Sequence, residues 1–124
     1  MKIEEVCKAA FRVRPNDLEL EEQLRWLSEL DGKIMTEVML LDASETFAVR
    51  YTEEDMQKEL LVSFPYDKIY VPYLMAMIDF ANGEYDRYQN DKAIFDGFYG
   101  EYVRWFARVY KPADTKKGGR YYDD

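Results

Sequence analysis

The sequence has 124 residues, 48% of them hydrophobic, 34% charged and 16% aromatic. That length fits one domain, able to bury a core without a disulfide or metal staple. A net charge of −8, no histidine and a single cysteine weigh against a general nucleic-acid binder, a zinc site and an internal disulfide.

Residues 2–12 read as a first helix. Ile3, Val6, Cys7, Ala10 and Phe11 share one face. Cys7 sits among apolar neighbours and reads as a small core residue rather than a nucleophile. The helix stops before Arg14-Pro15, because a residue preceding proline is pushed out of the helical region. Pro15-Asn16-Asp17 has turn chemistry. The start of the chain, MKIEEVCKAAF, lacks the apolar core of a signal peptide. No apolar run approaches the ~20 residues of a membrane span. Both points place the expected protein inside the cell that makes it.

A longer helix follows, from about residue 20 to 40. Leu24, Leu27, Leu30, Ile34, Val38 and Leu41 form its buried stripe, with Trp26 on a flank. Glu22, Arg25, Glu29, Lys33 and Glu37 repeat at three or four residues and read as a solvated face. Gly32 interrupts the helix. Two readings stand side by side there, a local kink and the close approach of another backbone.

Helical order breaks over residues 41–62. Phe47, Val49 and Tyr51 alternate with Ala48 and Arg50, which suits a short strand. Thr52 with Asp55 resembles a helix cap. Residues 59–63 read either as a second short strand or as the lead-in to the next helix. The whole segment is expected to be a partly extended arm or loop.

Residues 63–110 carry most of the aromatics and read as two helices folded back on each other. Asn82-Gly83 lies between them, at a position suited to a left-handed helix end. The apolar face of the first arm is Tyr70, Leu74, Met77, Ile78 and Ala81. That of the second is Ile94, Phe95, Phe98, Tyr102, Trp105, Phe106 and Val109. Pro72 is harmless only in a first turn, so regular helix starts close before it or is kinked at it. Gly97 and Gly100, three apart, suggest close approach of a neighbouring helix.

Lys111-Pro112 ends the helix. Residues 112–124 lack apolar periodicity and read as a flexible tail. From Lys111 on, four basic and three acidic residues make it net +1 on an acidic protein. Lys116, Lys117 and Arg120 are candidate contacts to an acidic partner, beside the plainer reading of a solvated tail.

A search for chemistry nominates no catalytic, metal or cofactor-binding residue. Glu53, Glu54 and Asp55 lack the alternating spacing and turn glycine of a calcium loop. There is no phosphate-binding glycine loop and no nucleophile elbow. With 25 acidic residues, some carboxylate pair is always available and carries no weight. Tyr66, Tyr70, Tyr73, Tyr85, Tyr88, Tyr99 and Tyr102 suggest a stacking platform, but tyrosines along helices more often bury the ring and leave the hydroxyl at the rim. The expectation is a protein with no cofactor and no catalysis.

Three stretches carry a resemblance: EEQLRWLSELDGKIMTEV, then ELLVSFPYDKIYVPYLMAMIDFANGEYDRYQND, then FDGFYGEYVRWFARVY. Within them, Arg25-Trp26-Leu27 with Leu30-Asp31-Gly32, and Pro65-Tyr66-Asp67 with the run DFANGEYDRYQN, are the most telling. Together they resemble small head–tail connector, adaptor or head-completion proteins of tailed phages and prophages of Gram-positive bacteria. The likeness spans about residues 2–111. It implies a helical protomer with an extended arm that joins a homo-oligomeric ring between the portal and the neck or tail proteins. It also implies assembly in the bacterial host cytoplasm and a final place in the virion neck.

The expected architecture is all-α: a four-helix, bundle-like domain over residues 1–111. A short extended arm or β-hairpin is expected between helices two and three, and a tail over residues 112–124. Phe47, Val49, Tyr51, Leu60 and Leu61 either fold over their own bundle or form an arm buried between subunits, and the resemblance favours the second; Lys116, Lys117 and Arg120 lie beyond the likeness and stay partner-binding candidates on charge alone. The competing reading is a different phage interaction protein, such as a head-assembly helper or an inhibitor of a host enzyme.

Overall fold

Residues 1–41 and 49–110 are described by a computed structural model. Among the described residues four α-helices form: α1 (Ile3–Val13), α2 (Leu20–Glu37), α3 (Tyr70–Ala81) and α4 (Tyr85–Val109). Two 3-10 turns, Glu53–Asp55 and Asp67–Ile69, interrupt the stretch between α2 and α3. The all-α expectation is therefore what the chain adopts. α3 and α4 form the antiparallel hairpin, the most extensive helix pairing among the described residues. α1 and α2 both pack on α3.

Each boundary has a local cause. Asn16 makes an Asx turn after α1: its side-chain oxygen accepts from Leu18 N–H at 3.0 Å. Pro72 falls in the first turn of α3, where its missing N–H breaks no helical bond. Gly83 adopts φ 75°, and the hairpin turn closes as a Schellman motif. Gly83 N–H donates to Phe80 carbonyl at 3.1 Å and Glu84 N–H to Asp79 carbonyl at 2.8 Å.

The core is built from Ile3 and Val6 of α1, Leu27 and Ile34 of α2, Tyr70, Leu74 and Ile78 of α3, and Phe95 and Tyr102 of α4. Trp26 is buried with them rather than covering a flank. Periodicity overcounted at the margins. Phe11, Ile94 and Val109 are each at least half exposed, and Ala81 is exposed too. Phe11 and Val109 lie in the last turns of their helices, and Ala81 ends α3. Val38 and Leu41 are only half-buried, because α2 ends at Glu37.

No strand forms among the described residues around 49–62, so of the two expected forms, extended arm or β-hairpin, the described part is not the hairpin. The backbone groups there have other partners. Tyr51 N–H donates to Ser28 Oγ of α2 at 2.8 Å. The carbonyls of Lys58 and Met56 accept from Ile3 N–H at 3.0 Å and Glu4 N–H at 2.9 Å. These are donors that a helix start leaves unpaired, so the segment caps α1 from outside. A single antiparallel bridge, Lys2 with Glu59, is all the β pairing among the described residues. Thr52 and Asp55 do form the expected cap, with Thr52 N–H donating to the Asp55 carboxylate at 2.8 Å, but around a 3-10 turn.

The close approach expected at Gly97 and Gly100 is also corrected. A Cβ at Gly32 or Gly97 would meet nothing within 4 Å, and one at Gly100 would meet only the guanidinium tip of Arg104 at 3.2 Å. No neighbouring backbone presses on these positions.

Candidate functional site

The end of α2, the turn before α3 and the last third of α4 converge on one apolar groove of about 760 Å³. Its floor is Val62 and Tyr102, both buried. Its wall is aromatic. Tyr66 stacks on Trp105 with ring centres 4.9 Å apart, and Phe106 stacks on Tyr110 at 4.6 Å. Such offset pairs fix the rings against one another and hold the wall in shape. The three-to-four spacing of Tyr102, Trp105, Phe106 and Tyr110 along α4 places them on this side.

The rim is apolar and uncovered among the described residues. Phe64 is 85% exposed, Leu40 70% and Tyr110 57%. Leu40 holds φ 58°, a left-handed conformation that an L-residue with a Cβ adopts at a cost. The described lining holds no charged side chain, and its polar side-chain atoms are those of Ser63, the tyrosine hydroxyls and the Trp105 indole N–H. Burial pushes the Tyr102 hydroxyl up to about 12, so it stays protonated at neutral pH. An apolar groove with a strained, exposed rim is suited to receiving apolar side chains of another segment.

One wall of the groove is anchored by a buried polar cluster. Asp31 of α2 is fully buried. Its carboxylate accepts from Tyr70 O–H at 2.6 Å, from Tyr51 O–H and from Leu61 N–H at 3.1 Å. Tyr70 O–H in turn accepts from Val62 N–H at 2.8 Å. Burial raises the Asp31 pKa above the ordinary carboxylate value, against the pull of its three donors. Burial, and then the Asp31 charge, push both hydroxyls far up. The cluster fastens residues 51–62 to α2 and α3, and so fixes Leu61 and Val62 at the groove.

A second buried cluster lies where α1 ends. Arg14 Nε donates to both Asp79 oxygens at 3.0 and 3.2 Å, and its terminal nitrogen reaches Asp91 at 3.3 Å. Two carboxylates share one guanidinium. Asp91 is pushed up to about 6, first by burial and then by Asp79 beside it, with Arg14 opposing. It ties α1 to both arms of the hairpin.

The expected interface arm divides. Leu60 is buried in the core of its own chain, which removes it from any subunit interface. Tyr51 is half-buried and committed to Asp31. Val49 is half-buried. Only Leu61 lines the groove. Phe47 lies outside the described residues, as do the tail candidates Lys116, Lys117 and Arg120. Sequence reasoning missed the groove as a unit. Trp105 and Phe106 were visible as a helix face and Tyr66 as one of the candidate stacking tyrosines, but not as one surface. Among the described residues no group of three or more Cys, Asp or Glu is placed to hold a metal ion, and no helix is long and apolar enough to cross a membrane.

No family model, curated protein or solved structure matches the chain in comparisons with each.

Proposed function

We propose that this chain is a structural subunit acting through protein–protein contacts, a head–tail connector or adaptor of a tailed phage or prophage. In this reading it joins copies of itself in a ring that contacts the portal on one side and neck or tail proteins on the other. Assembly takes place in the host cytoplasm and the product resides in the virion neck. The observation that carries the reading is the apolar groove, uncovered among the described residues, with Phe64 and Leu40 standing out at its rim. The three sequence stretches that resemble phage connector proteins supply the biological setting. Interfaces of this kind bury aromatic anchors in apolar pockets, and the groove offers both wall and anchor.

The test is assembly. The protein is purified alone and with the portal protein encoded in the same genome, and each sample is imaged by electron microscopy. Rings, alone or on the portal, are expected, with Phe64→Asp reducing their yield severalfold while the subunit stays helical by circular dichroism. A subunit that remains monomeric, ignores the portal and instead forms a one-to-one complex with a host enzyme would overturn the reading in favour of an inhibitor.

A further inference from the structure

The groove and residues 111–124 meet at Tyr110. That residue stacks on Phe106 in the groove wall and is also the last described position of the chain. The sequence beyond it carries one aromatic pair, Tyr121-Tyr122. Ten residues separate Tyr110 from Tyr121. At up to about 3.5 Å per residue they span far more than the width of the groove. A tether of this length gives an effective concentration on the order of mM, so a weak contact suffices for occupancy.

Charge favours the same encounter. Residues 111–124 are net +1, which leaves −9 for residues 1–110. Lys116, Lys117 and Arg120 immediately precede the tyrosines, while Glu37 and Glu101 are exposed on the helices that border the groove. A basic stretch on an acidic body draws the aromatic pair back toward the surface.

We propose that Tyr121 and Tyr122 dock into the apolar groove of their own chain in the free subunit. The tyrosine rings cover the aromatic wall and leave their hydroxyls toward water, as tyrosines do at interface edges. A partner that uses the groove must then displace the segment, so the free subunit is held back from premature assembly. That consequence rests on the groove being the docking surface proposed above; the docking of the tyrosines does not.

The chain has two tryptophans, Trp105 in the groove wall and Trp26 in the core. Labelled with 5-fluorotryptophan, they give two ¹⁹F resonances, assigned with Trp105→Phe. In the double variant Tyr121→Ser, Tyr122→Ser the Trp105 signal should move and the Trp26 signal should stay. Truncation after Tyr110 should reproduce the shift, and a synthetic peptide of residues 111–124 at mM concentration should reverse it. An unmoved Trp105 signal in both variants overturns the proposal. So does a shift that appears only at high protein concentration, because the occupant is then a second copy. A shift in Phe47→Ala with none in the tyrosine variants assigns the groove to residues 42–48 and equally overturns it. All readouts use the free subunit, so a failure to form rings leaves this result standing.

Discussion

Residues 60–62 and the rim of the groove both carry apolar side chains outside the helices, yet they meet opposite fates. Leu60 and Val62 are buried, and the backbone around them is bonded to α1 and α2. Phe64, only two residues further on, is 85% exposed, and Leu40 is 70% exposed. The apolar side chains do not distinguish the two. The polar anchors do. Asp31 accepts from Leu61 N–H, Ser28 from Tyr51 N–H, and Tyr70 O–H from Val62 N–H. An irregular segment enters a core only where its backbone donors find partners, since burying them unpaired costs more than the apolar contact returns. Past Val62 those anchors end, and the apolar side chains face outward.

The largest effect that tests this contrast is a pair of truncations. Leu60→Ala should cost about 2–5 kcal/mol, as deletion of a buried leucine does. Phe64→Ala should change stability by no more than about 0.5 kcal/mol. Urea melts of the two variants decide it. Equal losses would mean that Phe64 also belongs to the folded core.

Next is the anchor itself. Asp31→Ala strands Tyr51 O–H, Leu61 N–H and one bond of Tyr70, and should cost about 2–4 kcal/mol. Amide exchange should show residues 51–62 losing protection before the α3–α4 hairpin does. Uniform loss across the chain would show that the segment has no separate fastening.

The helices were largely legible in the sequence because their causes are local. Leu24, Leu27, Leu30 and Ile34 mark a face by spacing alone, and Gly83 marks the hairpin turn by its missing Cβ. Arg25 forms ion pairs with Glu22 and Glu29 on the face that spacing assigned to solvent. What stayed hidden depends on partners far apart in the chain. Asp31 has no structural role in the sequence until Tyr70 and Leu61 arrive from 39 and 30 residues away. Arg14 reads as the end of a helix until Asp79 and Asp91 enclose it from 65 and 77 residues away. Neither pairing has a periodicity to betray it. Leu60 was assigned to an interface for the same reason, since apolar content was visible and its anchors were not.

The second acidic cluster sharpens the comparison by pH. Asp91 is pushed up to about 6, so the folded state binds its proton more tightly than the unfolded chain does. A raised carboxyl pKa contributes stability that is fully present below the unfolded value. That contribution is lost as pH rises from the ordinary carboxylate range through about 6. The melting temperature of the native chain should therefore rise by a few degrees from pH 7.5 to pH 5.5, relative to Asp91→Asn measured alongside. The variant removes the group while keeping the general relief of the −8 charge. Parallel curves for the two proteins would show that Asp91 titrates normally.

The smallest effect is at Leu40, where the two regions are set against each other in one residue. Its φ of 58° costs a leucine roughly 1–2 kcal/mol, while a glycine adopts it freely. Leu40→Gly gives back part of that gain through the greater freedom of glycine in the unfolded chain, about 0.5–1 kcal/mol. The net expectation is a subunit more stable by up to about 1 kcal/mol. The same change strips the rim of an exposed apolar side chain, so self-association should weaken. Leu40→Asn, which also tolerates the left-handed region and is polar, should behave alike. Stability and association moving in opposite directions is the outcome specific to a strained residue kept for contact. A loss of stability in both variants, approaching that of Leu60→Ala, would instead place Leu40 with the anchored core and leave the rim without its most strained member.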